Sequence, residues 1–377
     1  MKQRKKIILI GPIYPYKGGI SHYTSLMCRT LKKEHDVYML SFKMQYPKIL
    51  YRREQKDYED DTFRVDGTDY AIQTANPFNW FGVASKIRKI NPDLVIIQWW
   101  HPYFAPCYFT IRKLIGRIRV MFICHNVFPH ERFPMDKFLT KMTLAGGNYF
   151  IVQSSQDENN LKSIKPQARY KKTVHPAYNT FKWQNMSKER GRELLQIKEE
   201  ERVLLFFGFV REYKGLRHLL KAMPEVLAKL DGVRLLVVGD FDGNKEEYLR
   251  MIHDWDIAGA VDIYDGYIPD KEVEKFFAAA DLVVLPYESA TQSGIVQIAY
   301  GFEKPVIATD VGGLPEVVID GTTGYVVHQG DTLALADSIV KYFTEDREND
   351  FIRGIREEAY KYSWDRMAQV IRELALQ

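Results

Sequence analysis

The sequence predicts two doubly wound α/β domains that face each other across a cleft at the carboxyl edges of their sheets. Three observations carry this. Short buried-strand runs alternate with helix-period segments along nearly the whole chain. The alternation pauses over the polar stretch 181–201, a linker or the first helix of a second unit, and then restarts. At 377 residues the chain also exceeds what one hydrophobic core usually organises. The boundary is therefore placed between 180 and 181.

Composition bounds the chemistry. With 46% hydrophobic and 27% charged residues, the chain has the make-up of an ordinary globular protein. Cys28, Cys107 and Cys124 lack the paired spacing of a disulfide framework or a zinc knuckle, which fits a reducing, cytoplasmic setting. The basic start at 2–6 followed by apolar 7–10 resembles the opening of a signal peptide. It breaks at Gly11-Pro12, and no small-residue cleavage site follows. No run approaches the roughly 18 apolar residues of a membrane span, so a soluble protein is expected. Charge is uneven: residues 1–180 hold 29 lysines and arginines against 14 acidic residues, and the remainder holds 24 against 35. Either the first half faces an anionic partner, such as lipid headgroups or a polyphosphate, or it carries an uneven but solvated surface. No DNA- or RNA-binding motif accompanies the charge, so nucleic acid is not an expected partner.

Taken in order, residues 6–10 read as a buried strand and 11–19 as a loop ending in Gly18-Gly19. A helix over 20–33 follows, with apolar residues at Ile20, Tyr23, Leu26, Met27 and Leu31. The loop is not G-x-G-x-x-G, so the dinucleotide fingerprint is absent. The glycine pair either lets a ligand approach the backbone or permits a tight turn. Residues 36–41 form a second strand, and the charged stretch 43–70 is expected to be a mobile surface excursion. A helix over 79–90 and a strand over 92–98 come next. The aromatic run Trp99, Trp100, Tyr103 and Phe104, with Arg112, Lys113, Arg117 and Arg119 downstream, has two readings. It docks on a membrane interface or holds an apolar acceptor, or it caps the domain core. A strand over 119–124 delivers His125 to the carboxyl edge of the sheet, where open α/β sheets bind ligands. Position there sets a functional role for His125 against the ordinary structural one. Residues 149–153 give one more strand.

The second half restarts with a strand over 203–207, a loop carrying Arg211 and Lys214, and a helix over 216–230. Two cations in such a loop can neutralise a diphosphate, arginine in bidentate fashion. A strand over 233–238, a helix over 246–255, a short strand over 261–264 and a helix over 271–280 follow. Then come a buried strand over 282–286, the polar loop 289–294, a helix from Ile295 to about 303, and a strand over 305–309 closed by Gly312-Gly313. A hydroxyl- and glycine-rich loop running into a helix suits a phosphate or several sugar hydroxyls, unless it is an ordinary crossover. Asp240-Phe241-Asp242 and Asp254-Trp255-Asp256 match Asp-x-Asp, a spacing that can hold a divalent metal. The second falls on a helix where the carboxylates diverge, and no His/Cys cluster offers an alternative. No metal site is expected.

These residues resemble a known family. The Gly18-Gly19 loop, Gly208 with Lys214-Gly215, the run 266–269, and above all Pro305 to Thr309 with Gly312-Gly313-Leu314-Pro315-Glu316-Val317, Asp320-Gly321 and Gly324 are similar to glycosyltransferase family 4 of bacterial polysaccharide and glycolipid synthesis. The resemblance is strongest over 203–328. It implies the GT-B fold, a nucleotide-diphosphate sugar donor and retention at the anomeric carbon, without metal or other cofactor. Ser363-Trp364-Asp365-Arg366 resembles the start of the family's last helix, which would return residues 360–377 to the first domain and leave 181–359 as the donor-binding domain.

The resemblance implies roles residue by residue. Gly18 and Gly19 lie against the donor diphosphate, and His125 matches the family's histidine near the donor sugar. Lys214 binds the diphosphate and stabilises the departing nucleotide, with Arg211 beside it, while Tyr267 and Ile268 hold the base. Two departures stand out. Phe209 occupies the place of the family's arginine, with Arg211 as its substitute. The family's two glutamates in Glu-x7-Glu fall on Ala290 and Ile298. Donor contact then passes to Glu288, Thr291, Gln292, Ser293, Gly294, Ile295 and Gln297. The expected function is a cytoplasmic glycosyltransferase acting on a glycan or lipid-linked acceptor, peripheral on the inner face of an anionic membrane. The alternatives are a non-catalytic nucleotide-sugar-binding module and a nucleotide-sugar epimerase of the same fold. A Rossmann-type oxidoreductase lacks its fingerprint.

Overall fold

Strands buried on both faces need helices on both sides, and the computed structural model is built that way twice. It describes residues 4–51, 54–129, 134–241 and 243–376. The chain divides into two units, one of residues 1–174 with 363–377 and one of 175–362. Each is a doubly wound parallel sheet, the fold class read from the sequence.

In the first unit the chain runs β1 (Lys6–Ile10), α1 (Gly19–Glu34), β2 (Asp36–Met44), β3 (Asp69–Gln73), α2 (Pro77–Ile90), β4 (Leu94–Trp99), α3 (Ala105–Leu114), β5 (Val120–Cys124), α4 (Asp136–Leu144), β6 (Tyr149–Val152), α5 (Ser155–Ile164) and β7 (Tyr170–Lys172). All strand pairings are parallel, in the order β3-β2-β1-β4-β5-β6-β7. The period of two sorts the side chains between the faces. Ile8, Ile10, Val95, Ile97 and Phe122 pack with Ile87 of α2 and Ile111 of α3. Ile7, Leu9, Leu94, Ile96 and Ile123 pack with Met27 and Leu31 of α1 and with Met367, Val370 and Ile371 of the C-terminal helix Trp364–Ala375. That helix starts at Ser363, whose side chain accepts from Arg366 N, and completes the second face of a sheet begun more than 350 residues earlier.

The stretch 43–70, of which residues 52 and 53 lie outside the described residues, holds no helix or strand between its two ends, as the charge pattern suggests, but part of it is fastened to the domain. β2 continues to Met44, and β3 pairs with it. Between them Phe63 and Val65 are buried, Phe63 stacks on His22 at 4.1 Å, and Arg29 donates to the carbonyls of Thr62 and Arg64. Single apolar residues among charges fasten this segment to α1, a signal that composition averages away.

The second unit runs α6 (Lys188–Leu194), β8 (Arg202–Phe207), α7 (Leu216–Lys229), β9 (Val233–Gly239), α8 (Lys245–Asp254), β10 (Val261–Asp265), α9 (Asp270–Ala279), β11 (Leu282–Leu285), α10 (Gly294–Gly301), β12 (Val306–Thr309), β13 (Gly324–Val327), α11 (Thr332–Thr344) and α12 (Glu348–Glu358). Its six parallel strands lie in the order β10-β9-β8-β11-β12-β13. The polar stretch before it contains α6, anchored by buried Arg192, which donates to Asp281 at 2.8 Å.

Because the C-terminal helix completes one face of the first sheet, Ile371→Ala should destabilise the distant N-terminal strands. A fully buried Ile-to-Ala change costs about 3 kcal/mol. Hydrogen exchange should show faster opening of β1 and α1, with protection of β8 and β11 unchanged.

Candidate functional site

In an open α/β sheet, ligands sit beyond the carboxyl ends of the strands where the winding reverses. In the second unit the reversal lies between β8 and β11, so the loops 208–215 and 286–293 meet there. Three contacts hold them together. Gly215 has φ +65°, and a Cβ on it would stand 1.9 Å from Pro286 O. Glu288 N donates to Tyr213 O at 2.7 Å. The Glu288 carboxylate accepts from Arg217 Nη2 at 2.7 Å and from Arg217 Nε and His218 Nε2 at 2.9 Å.

Lys214 stands inside this arrangement. Its ammonium lies 5.3 Å from the centroid of the buried Tyr287 ring, and a Cβ on Gly208 would come within 3.0 Å of Nζ. The same absent Cβ would lie 3.5 Å from Ile295 Cδ1, so the lysine, Gly208 and the first turn of α10 meet. Ser293 caps that helix, its Oγ accepting from Ile295 N at 3.3 Å and lying 3.3 Å from Tyr287 Oη. Thr291 is buried, and its carbonyl accepts from Gly313 N at 3.1 Å. Gly312 has φ +54° and no room for a Cβ, which would fall 1.5 Å from Ala290 O, so the glycine pair seats the polar loop. The carboxamides of Gln292 and Gln297 have all four polar atoms buried without a hydrogen-bond partner, and Gln297 is fully buried on α10. Arg211 is exposed on the first of these loops and Gly294 at the first position of α10, and Phe209 is exposed where the resemblance places an arginine.

Lys214, Glu288, Thr291, Gln292, Ser293, Gly294, Ile295 and Gln297 thus occupy one region, but Glu288 stands differently from its assignment. Its carboxylate faces Arg217 and His218 of α7. Neither residue was singled out from sequence, although both open the helix that follows the strand beside β11. Tyr267 and Ile268 follow β10, which β9 separates from β8. Asp254 ends α8 and Asp256 has a left-handed φ of 52°, so the pair is split across a helix end. Asp242 lies outside the described residues. Among the described residues no group of three His, Cys, Asp or Glu side chains could hold a metal.

In the first unit the winding reverses between β1 and β4. Gly18 precedes α1 with φ +104° and open space where a Cβ would lie, so the turn itself requires glycine there; Gly19 begins the helix. His125 follows β5 with its ring buried, Nε2 lying 2.7 Å from Gln98 Oε1. The aromatic run is not an exposed dock. Trp99 and Phe104 are fully buried, Trp99 Nε1 donates to Val127 O at 3.2 Å, and Trp100 Nε1 donates to Tyr46 Oη at 3.2 Å. Tyr103 Oη pairs with Thr74 Oγ1 at 2.9 Å, and the Phe104 ring centroid lies 4.2 Å from that of Trp100. Packing the large rings against one another removes more apolar surface from water than displaying them.

Comparison with known proteins gives the class. Residues 3–199 match the family model described as starch synthase catalytic domain, and residues 201–345 match that described as glycosyl transferases group 1. The first covers more than half of the chain, and the chain belongs to this glycosyltransferase family. It is 31% identical over 194 residues to lipopolysaccharide 1,2-N-acetylglucosaminetransferase of Salmonella typhimurium, covering 48% of this chain and 50% of that protein. The chain spans about half the length of curated relatives such as this one. Two solved structures each match with 98% of both chains covered. Sucrose-phosphate synthase from Thermosynechococcus elongatus has a TM-score of 0.76 at 18% identity, and Anabaena HepE in complex with UDP has 0.75 at 16%. The fold is GT-B.

The Glu288 clip has a pH signature. Burial pushes its carboxyl up, but the bonds from Arg217 and His218 outweigh this and hold it below its ordinary value of 4.5. A carboxyl depressed in the folded state stabilises above its unfolded value, and the contribution is lost as pH falls through the folded one. Glu288→Gln should therefore flatten the loss of thermal stability below pH 4.5 and lower stability at pH 7 by about 1 kcal/mol. Superimposable acid limbs would mean the carboxylate contributes nothing.

Proposed function

We propose that this chain is a retaining glycosyltransferase of family 4 that moves a sugar from a nucleotide-diphosphate donor to a hydroxyl of a glycan or lipid-linked acceptor. The observation that carries this reading is Lys214, held over Tyr287 and against Gly208 where the second sheet reverses its winding, beside the first turn of α10. A cation and a helix N-terminus are the parts that stabilise a leaving diphosphate. Solved structures of the same fold support the donor class, since those of Anabaena HepE hold UDP and UDP-glucose.

In this reading Lys214 and Arg211 neutralise charge as the bond between the anomeric carbon and the phosphate oxygen breaks. The acceptor oxygen bonds to the same face of that carbon, and its proton passes to the leaving phosphate, so no protein nucleophile is needed. Gly18 and Gly19 contact the diphosphate, His125 contacts the sugar, and Tyr267 with Ile268 holds the base. Thr291, Ser293 and the two carboxamides contact sugar or ribose, with Gln292 and Gln297 able to donate as well as accept. Glu288 is a positioning residue, holding the two loops together.

The acceptor side is assigned to the first unit. Ile49 and Leu50 after β2, Phe78 and Phe81 at the start of α2, and Met135 and Phe138 at the start of α4 are exposed apolar side chains that all follow carboxyl ends of strands. With the basic balance of residues 1–180, they replace the buried aromatic run as the surface for a cytoplasmic, peripheral association with anionic lipid. Among the described residues no helix is long and apolar enough to cross a membrane.

Incubation with a panel of nucleotide sugars and candidate acceptors should give transfer or slow donor hydrolysis. An isomerised free sugar, or saturable binding without turnover, would reject the reading. A true donor at 100 times its Kd should stabilise the fold by about 2.7 kcal/mol, identifying base and sugar by thermal shift. Lys214→Ala should lower kcat by about 10²-fold or more, and near wild-type turnover would reject its role. Phe78→Ser with Phe81→Ser should reduce pelleting with anionic liposomes at low salt; pelleting indifferent to lipid charge and salt would remove the membrane from the reading.

A further inference from the structure

Arg119 precedes β5, Tyr149 opens β6 and Arg169 precedes β7, at the amino edge of the first unit's sheet, opposite the edge that carries Gly18 and His125. The register sets Met121 beside Tyr149 and Phe150 beside Tyr170. With side chains alternating between faces, Arg119, Tyr149 and Arg169 share the face on which Met121, Ile123 and Ile151 pack with Ile371 and Ala375 of the C-terminal helix. Further along β5 and β6 that face is apolar. Where the helix ends at Ala375 it carries an arginine, a tyrosine and an arginine instead, around a cavity of about 460 Å³ that Glu373, Leu374 and Ala375 line from the helix side. Small-molecule sites have this size.

The balance of charge around the cavity is cationic. Arg119 is half-buried, and its Nε donates to Asp93 O at 3.2 Å, which fixes the guanidinium plane. Among the described residues neither arginine has an ion pair, and the Arg169 guanidinium and the Tyr149 hydroxyl make no hydrogen bond. Glu373, the acid among the lining residues, accepts from Gln369 Nε2 at 2.8 Å and lies 3.6 Å from Arg366 Nη1 of its own helix. The helix C-terminus adds roughly half a negative charge, less than two guanidinium groups supply. A guanidinium fork matches the oxygens of a carboxylate or a phosphate. Two forks from separate strands and a hydroxyl suit three oxygens and roughly two negative charges, which a phosphate monoester has and a carboxylate lacks. We propose that this cavity binds a phosphate monoester of a small molecule, with Arg119 and Arg169 gripping the phosphate, Tyr149 Oη donating to it, and the organic part lying against Leu374 and Ala375. Occupied, it ties the last turn of the C-terminal helix to β5, β6 and β7. None of the exposed large apolar side chains among the described residues belongs to the segments around the cavity, so the ester is a soluble one and not a lipid headgroup.

Hydrogen exchange of the full chain with and without millimolar glucose 1-phosphate reads the site. Slower exchange is expected over 117–121, 147–151, 167–171 and 373–376, in wild type and in Lys214→Ala alike. No change in these segments, or protection confined to the loops 208–215 and 286–293 of the second unit, would overturn the proposal, as would equal protection by acetate. Arg169 is exposed and its side chain makes no bond among the described residues. Arg169→Ala should therefore melt like wild type yet lose about tenfold or more in affinity by calorimetric titration, the scale of one hydrogen bond to a charged group. Arg169→Lys should recover part of that loss and Arg169→Glu none of it. Arg119→Ala should lose as much, and the Arg169 series decides where that variant does not fold. Wild-type affinity in Arg169→Glu would overturn the assignment. Phosphatidylcholine vesicles containing phosphatidic acid distinguish the sources of the phosphate. Pelleting should be the same for wild type and Arg169→Glu, whereas pelleting lost in Arg169→Glu, without protection by glucose 1-phosphate, would overturn the soluble ester in favour of a lipid headgroup.

Discussion

The loops after β8 and β11 lie on each other because residue 215 has no side chain. Any Cβ there would collide with the Pro286 carbonyl, and its φ of +65° suits glycine besides. Close approach lets Glu288 N reach Tyr213 O and lets its carboxylate collect Arg217 and His218 from α7. The rest of the second unit's site is built on that clip. Lys214 is the residue before the glycine, so the same turn that joins the loops sets its ammonium over Tyr287. Gly312 repeats the device on the far side, where its bare Cα receives the Ala290 carbonyl and fixes the start of the polar loop.

Both sheets concentrate these side chains for one reason. Parallel strands are buried on both faces, so their interiors are apolar and cannot carry polar chemistry without cost. Polar function is left to the carboxyl-edge loops, where helix starts also offer N–H groups. Gln98 is an exception that tests the rule. A polar side chain in the middle of the first sheet is tolerated because an imidazole, a thioether and the space left by Gly11 together satisfy it.

Much of the fold was legible because apolar runs such as Leu94–Trp99 and Arg202–Phe207 are short, continuous and separated by helix-period segments. Helix edges moved by a residue or two where caps decide them, as at Asn76, which accepts from Phe78 N and Asn79 N ahead of α2. The anchors of the stretch 43–70 were not legible because they are isolated: one phenylalanine, one valine and an arginine 33 residues away. Of the two readings of the aromatic run the interior one holds, and hydrophobicity alone left it open which side of a loop packs; Tyr46 and Thr74, its polar partners, come from elements far away in sequence. The Glu288 clip was hidden for the same reason, as its partners are 70 and 71 residues away.

The neutral character of the polar loop follows from packing as well as from chemistry. Ala290 and Ile298, which stand where glycosyltransferase family 4, which the sequence resembles, has glutamates, are both buried. A carboxylate at either position would need a hydrogen-bonding partner of its own, and removal from water without one is costly. The acid this chain keeps, Glu288, lies where Arg217 and His218 already supply donors. What remains for a ligand is the pair of carboxamides at 292 and 297. Four buried polar atoms without partners cost about 1–3 kcal/mol each if nothing fills them. They sit on one eight-residue helix and the loop that enters it, so a single ligand group with both donors and acceptors would relieve several at once. A carboxylate pair can only accept, whereas this loop can also donate. In the proposed reading, the departure from the resembled family's pattern changes which groups on a donor sugar the loop would meet, and leaves its place in the fold unchanged.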